Sequence, residues 1–303
     1  ILKDAAATAV YGSRGANGVI LVSTNRGKVG KTQVRYSSQI GLTSAARLVD
    51  MMNGQEYAEM KREARRSSWN GTIPADVDVF FDPVELKSIE EGRSTDWIDL
   101  VVGNGYQTNH QLGVSGGSEN TTFNSSIGYF KEQGIISNQD YERFTGRINI
   151  DHRINDIFKV GASFLISNSI QNWGSNATMG EALAINPLGV PYDDEGNLLI
   201  LPTNDGIRTN PLNELVDGAY IDERKFTRIF APIFLDINIA EGLNWTTTFG
   251  PDIRLGRRGQ FRGSLTNDNR GGPGDASITH FDTFGYTLEN LLTFDKAITD
   301  NQN

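Results

Sequence analysis

The feature that most restricts this chain is a strict alternation of apolar and polar residues that returns in segment after segment. In "QVRYSSQIGLT" the even positions Val34, Tyr36, Ile40 and Leu42 are apolar, whereas Gln33, Arg35, Ser37, Gln39 and Thr43 are polar. A period of two places these sets on opposite faces of a β-strand. The pattern recurs in "YQTNHQLGVSG", with Leu112 and Val114 against Gln107, Asn109, Gln111 and Ser115, and in "TTFNSSIGYFK", with Phe123, Ile127 and Tyr129 against Thr122, Asn124 and Ser126. It is cleanest in "FTGRINIDHRI", where Phe144, Ile148, Ile150 and Ile154 oppose Thr145, Arg147, Asn149, Asp151 and Arg153. Together with 158–168, 228–240, 243–255 and 282–294, the alternation predicts about eight amphipathic strands of roughly ten residues each.

The connectors alternate too. Long segments at about 44–105, 132–143, 170–224 and 257–280 are separated by the tight links "GGSENT", "INDI" and "AEG". In an up-and-down meander this sorts every elaborate loop to one side of the sheet, as in outer-membrane barrels. Strands of about ten residues suit a tilted crossing of a bilayer, and no apolar run approaches the ~18 residues of a membrane helix. The alternative is a soluble secreted all-β carbohydrate-binding protein. Its polar face would meet bulk water, and nothing would sort its loops by length. A polar face rich in Gln, Asn, Ser, Thr and Arg suits a hydrated lumen better. The expected fold class is therefore an all-β membrane protein, part of a large antiparallel transmembrane β-barrel.

Composition excludes several other functions. A net charge of -9 and a pI near 4.9 argue against a nucleic-acid partner. There is no cysteine, and His110, His152 and His280 are far apart in sequence, so no metal site, cofactor or catalytic triad is expected. The carboxylates of "DDEGN" at 193–197 lack the spacing of a calcium loop and read as a solvated turn. The stretch "GKVGKT" ends like a phosphate-binding loop, but the position that needs its first glycine is Asn25, and a strand pattern follows where a helix is required. Ahead of it, "KDAAATAVYG" predicts a helix ended by Gly12, Gly15 and Gly18 allow a tight turn, and "GVILVST" reads as a buried strand. These make a short α/β element.

That stretch, "LKDAAATAVYGSRGANGVILVSTNRGKVGK", closely resembles the end of the plug domain in SusC/RagA-type TonB-dependent outer-membrane transporters. The resemblance continues through "TDWIDLV", "LGVSGGSENTTFNSSIGYFKEQGII" and "RINIDHRINDIFKVGASF" to "LENLLTF", essentially the whole chain. It implies a fragment: residues 1–31 as the end of the plug, and 32–303 as the first part of a plug-filled barrel of roughly 22 strands. It further implies energy-coupled import of oligosaccharides or peptides across the outer membrane of a Gram-negative bacterium of the Bacteroidota. The implied partners are a SusD-like lipoprotein lid, TonB acting through an upstream segment, and outer-membrane lipid. No enzymatic step is implied.

On this reading Tyr11, Gly12, Arg14, Gly15, Asn17 and Gly18 form a plug signature with a structural and mechanical role. Trp173, Tyr192 and Tyr220 are the aromatic side chains placed to meet substrate or lid. In the first long loop, "NGQEYAEMKREARRSSW" predicts a helix packed through a stripe of Tyr57, Met60 and Ala64.

Overall fold

The computed structural model describes Gly18 and residues 25–295; the helix and strand expected within residues 3–24 lie outside the described residues. One antiparallel sheet contains all nine described strands. In chain order they are β1 (Gly30–Thr43), β2 (Gly105–Gly117), β3 (Thr121–Gln133), β4 (Asp140–Arg153), β5 (Phe158–Asn172), β6 (Tyr220–Phe230), β7 (Ile233–Ala240), β8 (Leu243–Arg262) and β9 (Asp275–Phe294).

β6 and β7 are two halves of one span. β5 pairs with β6 through Leu165 and Phe230 and with β7 through Ala162 and Ile233, in the same register. β8 does likewise, through Asp252 opposite Phe230 and Phe249 opposite Ile233. The break at Ala231 and Pro232 arises because proline has no N–H to give to the ladder. The wall thus has the eight-span meander that the alternation predicts.

Pairing aligns the two faces across the sheet. Tyr36, Leu112, Ile127, Gly146, Ile166, Ile229, Ile253 and Phe284 form one continuous row. One residue away, on the other face, runs Ser37, Gln111, Gly128, Thr145, Ser167, Arg228, Arg254 and Thr283. The apolar face is uncovered, with Ile40 and Leu42 75% and 89% exposed. It ends at a charged row where Lys131 meets Glu142 at 2.6 Å and both Lys225 and Arg257 lean on Glu223. Segment 25–29 lies along the polar face. Arg26 Nη1 donates to Asp151 at 2.5 Å and its guanidinium sits 5.3 Å from the Phe234 ring.

The strands run further than the alternation predicts. β8 and β9 each have 20 residues, and β6 starts at Tyr220, so the intervening loops are 134–139, 173–219 and 263–274, shorter than expected. At the charged row the outward positions include Glu223, Lys225, Arg257, Gly259 and His280, so both faces are polar there and the hydrophobic period is interrupted, resuming outward at Ile221, Phe261 and Ile278 while the ladder continues.

The two longest loops fold against each other. The first contributes α1 (Gly54–Arg66), α2 (Asp76–Val79), α3 (Pro83–Glu90) and α4 (Trp97–Val101); the second contributes α5 (Asn176–Ala184) and a 3₁₀ turn at Pro211–Leu215. Ala58, Val79 and Phe80 bury Leu188, while Trp97 and Val101 pack on Ala182 and Ile185. Polar contacts cross the same seam: Ser88 Oγ donates to the Leu188 carbonyl at 2.7 Å, and Trp97 Nε1 donates to the Asn186 carbonyl at 2.9 Å. The stripe expected on α1 is rotated. Met60 and Ala64 face solvent, and the packed side is Gly54, Tyr57, Ala58, Lys61 and Arg62. Lys61 and Arg62 lie 4.9 and 5.9 Å from the Phe80 ring while their cations pair with Glu85 and Asp76, so long charged side chains serve as packing surface.

Candidate functional site

On the polar face of β6 and β8, two arginine pairs flank the level of the charged row. In register, Arg224 stands opposite Arg258 and Arg228 opposite Arg254. Asp222 accepts from Arg258 at 2.6–2.8 Å and from Arg224 at 3.2–3.3 Å. Asp252 accepts from Arg228 at 2.8–2.9 Å and from Arg254 at 2.6–3.1 Å. The carboxylates lie beneath: the Asp222 side chain is 2% exposed, against 36% for Arg224 and 40% for Arg258. A buried acid held between two forked cations fixes their planes. Alternation of Arg at 254, 258 and 262 and at 224 and 228 was the available signal, but it falls partly within segments expected to be loops.

Of the three expected aromatic contacts, the structure gathers two. Trp173 follows directly on β5; its N–H donates to the Asp222 carbonyl at 3.0 Å, and Arg224 lies 4.3 Å from its ring centroid. Tyr220 opens β6 on the polar face, opposite Arg262. Tyr192 is elsewhere, in a small loop hairpin bridged to Leu198. The adjoining Asp193 carboxylate accepts from the side chain and N–H of Asn197 and from the Glu195 N–H, and these bonds, the Asn197 side chain first, hold its pKa below the usual range. Those oxygens are already occupied by the turn.

The third loop is tied into the second through Asn267. Its N–H donates to Glu214 at 2.6 Å and its side chain to Glu181 at 3.0 Å. Burial pushes the Glu214 carboxyl up, against the Asn267 N–H that draws it down. In the first loop, the Arg62 hydrogen bonds hold Asp76 below its ordinary value.

Of the plug signature, Tyr11, Gly12, Arg14, Gly15 and Asn17 lie outside the described residues. Gly18 has φ +91°, in the region that favours glycine.

No family model matches the chain. It is 30% identical over 304 residues to TonB-dependent receptor P3 of Formosa agariphila, an alignment covering 98% of this chain and 28% of that protein. It is 31% identical over 202 residues to TonB-dependent receptor SusC of Bacteroides thetaiotaomicron, covering 64% of this chain and 18% of that protein. Among solved structures, the RagAB peptide transporter superposes with a TM-score of 0.80 at 22% identity, over 98% of this chain and 36% of that one. The chain spans less than a third of the length of these curated relatives. The structural likeness carries the fold, the curated relatives carry the lineage, and both agree with a sheet that is oily outside and polar inside. This chain belongs to the SusC/RagA-type TonB-dependent receptors, and its sheet is part of their transmembrane β-barrel.

Proposed function

We propose that the complete protein imports oligosaccharides or peptides across the outer membrane in a TonB-dependent, energy-coupled manner, with a SusD-like lipoprotein closing over its loops. The observation that carries this reading is the division of one wall into an uncovered apolar face and a polar face crowned by packed loops. That arrangement suits a hydrated passage with a docking platform at its mouth. Residues 1–31 then finish a plug inside the barrel and 32–303 begin the barrel itself. The plug signature lets that segment turn and move, Trp173 and Tyr220 meet substrate, and the protein does no covalent chemistry. A peptide transporter with the same fold supports the peptide class, and the oligosaccharide class comes from the family resemblance in the sequence.

The test is uptake of labelled peptide and oligosaccharide mixtures by the native cells. Deleting the gene or removing TonB should each abolish uptake of the same components. Unchanged uptake in the deletion strain overturns the reading, and recovery of the receptor consistently without a lipoprotein, under conditions that preserve other outer-membrane complexes, overturns the lid.

A further inference from the structure

We infer that the two arginine pairs on the inner face of β6 and β8 form a binding site for an extended acidic peptide, holding carboxylates roughly six residues apart at the rise of a β-strand; this rests on the import reading above. Each pair is over-supplied with cation. Asp222 serves both Arg224 and Arg258, and Asp252 serves both Arg228 and Arg254, so each cluster keeps one positive charge beyond its internal balance. Arg262, further up the same face, is different: it is shared by Asp268 and Asp275 and has no charge to spare. Within the pairs every arginine donates through Nε and Nη2. Guanidinium has five N–H donors, so among the described residues Nη1 and further hydrogens meet no acceptor on a part-exposed side chain. A second carboxylate is the group whose two oxygens match that fork.

The spacing points to the class of ligand. The Cα rows of the pairs are four residues apart, but Arg224 and Arg258 reach toward Asp222 while Arg228 and Arg254 reach the other way, toward Asp252, so the two forks stand roughly six residues apart, about 20 Å at the strand rise of ~3.4 Å per residue. An extended peptide laid along the wall has the same rise, so its side chains at i and i+6 fall on one side and in step with the two forks. Between them Phe226 meets Phe281 with ring centroids 6.2 Å apart, and Phe281 lies over Gly256, where a Cβ would have no room. This apolar step meets the side chains at i+2 and i+4. Trp173, stacked on Arg224, closes the upper end.

The experiment is calorimetric titration of the full-length receptor in detergent with three short peptides. One carries Glu at positions 1 and 7 with Leu at 3 and 5, one has Gln in place of both Glu, and one has Glu at 1 and 3. The first should bind at least ~10-fold more tightly than the Gln peptide, with the advantage shrinking as salt rises, and the third should fall between. A receptor with Asp222→Asn, Arg224→Gln and Arg258→Gln removes one cluster without stranding a buried charge, and should lose the discrimination while keeping heat-modifiable barrel mobility. Equal binding of the Glu and Gln peptides, or a preference that survives the triple substitution, overturns the site. Tighter binding of a sulfated oligosaccharide than of any peptide overturns the peptide assignment. If the uptake assay shows receptor-dependent import but the peptides do not discriminate, import stands and this site falls; if uptake is absent, import falls and the titration still decides the site.

Discussion

The wall and the loop cap are held together by opposite means. In the wall, every span pairs with its neighbours and leaves large apolar side chains such as Ile127 and Phe284 facing outward, so its stability comes from backbone ladders and from lipid. In the cap, short helices bury Phe80, Trp97 and Leu188 against a segment about a hundred residues away, as a water-soluble domain does. One molecule thus obeys two solvents, and a substitution has to be judged by the solvent that its position meets.

Four measurements would break or sharpen this contrast. The largest effect is expected from Phe80→Ala, which empties a fully buried ring site and should cost the cap about 3–5 kcal/mol. Hydrogen exchange should then rise in 54–102 and 176–215 and stay unchanged in β2–β5; a matching loss of folded barrel would mean that the cap is no separate unit. Next, Leu235→Arg on the lipid face should cost about 2–4 kcal/mol of barrel stability, whereas Thr248→Arg, on the inner face opposite Phe234, can hydrate its charge. Folded yield in outer membranes measures both, and equal yields would place the two faces wrongly, since a slip of one residue exchanges them.

Ser88→Ala comes third. It leaves the buried Leu188 carbonyl without its donor, and the cap should lose about 1–3 kcal/mol in chemical denaturation, with Ser88→Thr less harmful than Ala if the bond rather than the volume matters. The smallest effect is on pH dependence. Asp76 has a lowered pKa, so its contribution is complete above the ordinary carboxylate range and is lost as pH falls through the lowered value; as a part-exposed pair with Arg62 it is worth below ~1 kcal/mol. Glu214 has a raised pKa, so the folded cap holds its proton more tightly and gains stability as pH falls through that raised value. Cap protection should therefore peak in mild acid, with Glu214→Gln flattening only the neutral side and Asp76→Asn only the acid side. A single profile unaltered by either substitution would assign the pH response to other groups.

The wall was legible because two solvents write a period of two into every span: Ile148 and Ile150 against Arg147 and Asn149 need no further information. Legibility stopped where one solvent takes over. At the charged row, Lys225 and Glu223 face outward while Arg224 faces inward, and the strand ends beyond it read as loop. Arg224 and Arg258 were lost with those strand ends, whereas Arg228 and Arg254 lie inside expected strands. The cap was hidden for another reason: Leu188 and Asn186 meet Ala58, Ser88 and Trp97 only in three dimensions, and Lys61 and Arg62 count as polar although their stems pack on Phe80. The plug signature lies outside the described residues, apart from the positive φ of Gly18.

The proline break in the sixth span has a mechanical consequence. Ala231 donates to the Pro251 carbonyl at 3.1 Å and Ser163 to the Pro232 carbonyl at 2.8 Å, while neither proline can return a bond, so each pair keeps one of the two that such partners ordinarily exchange. Two neighbouring ladders are thinned at the same height, inside the apolar band, with Ile229 facing outward on one side of the break and Ile233 on the other. A sheet perforated along a line bends there first. Tilting the upper wall toward or away from the lumen can therefore be absorbed at this crease, and the ladders above and below it stay whole.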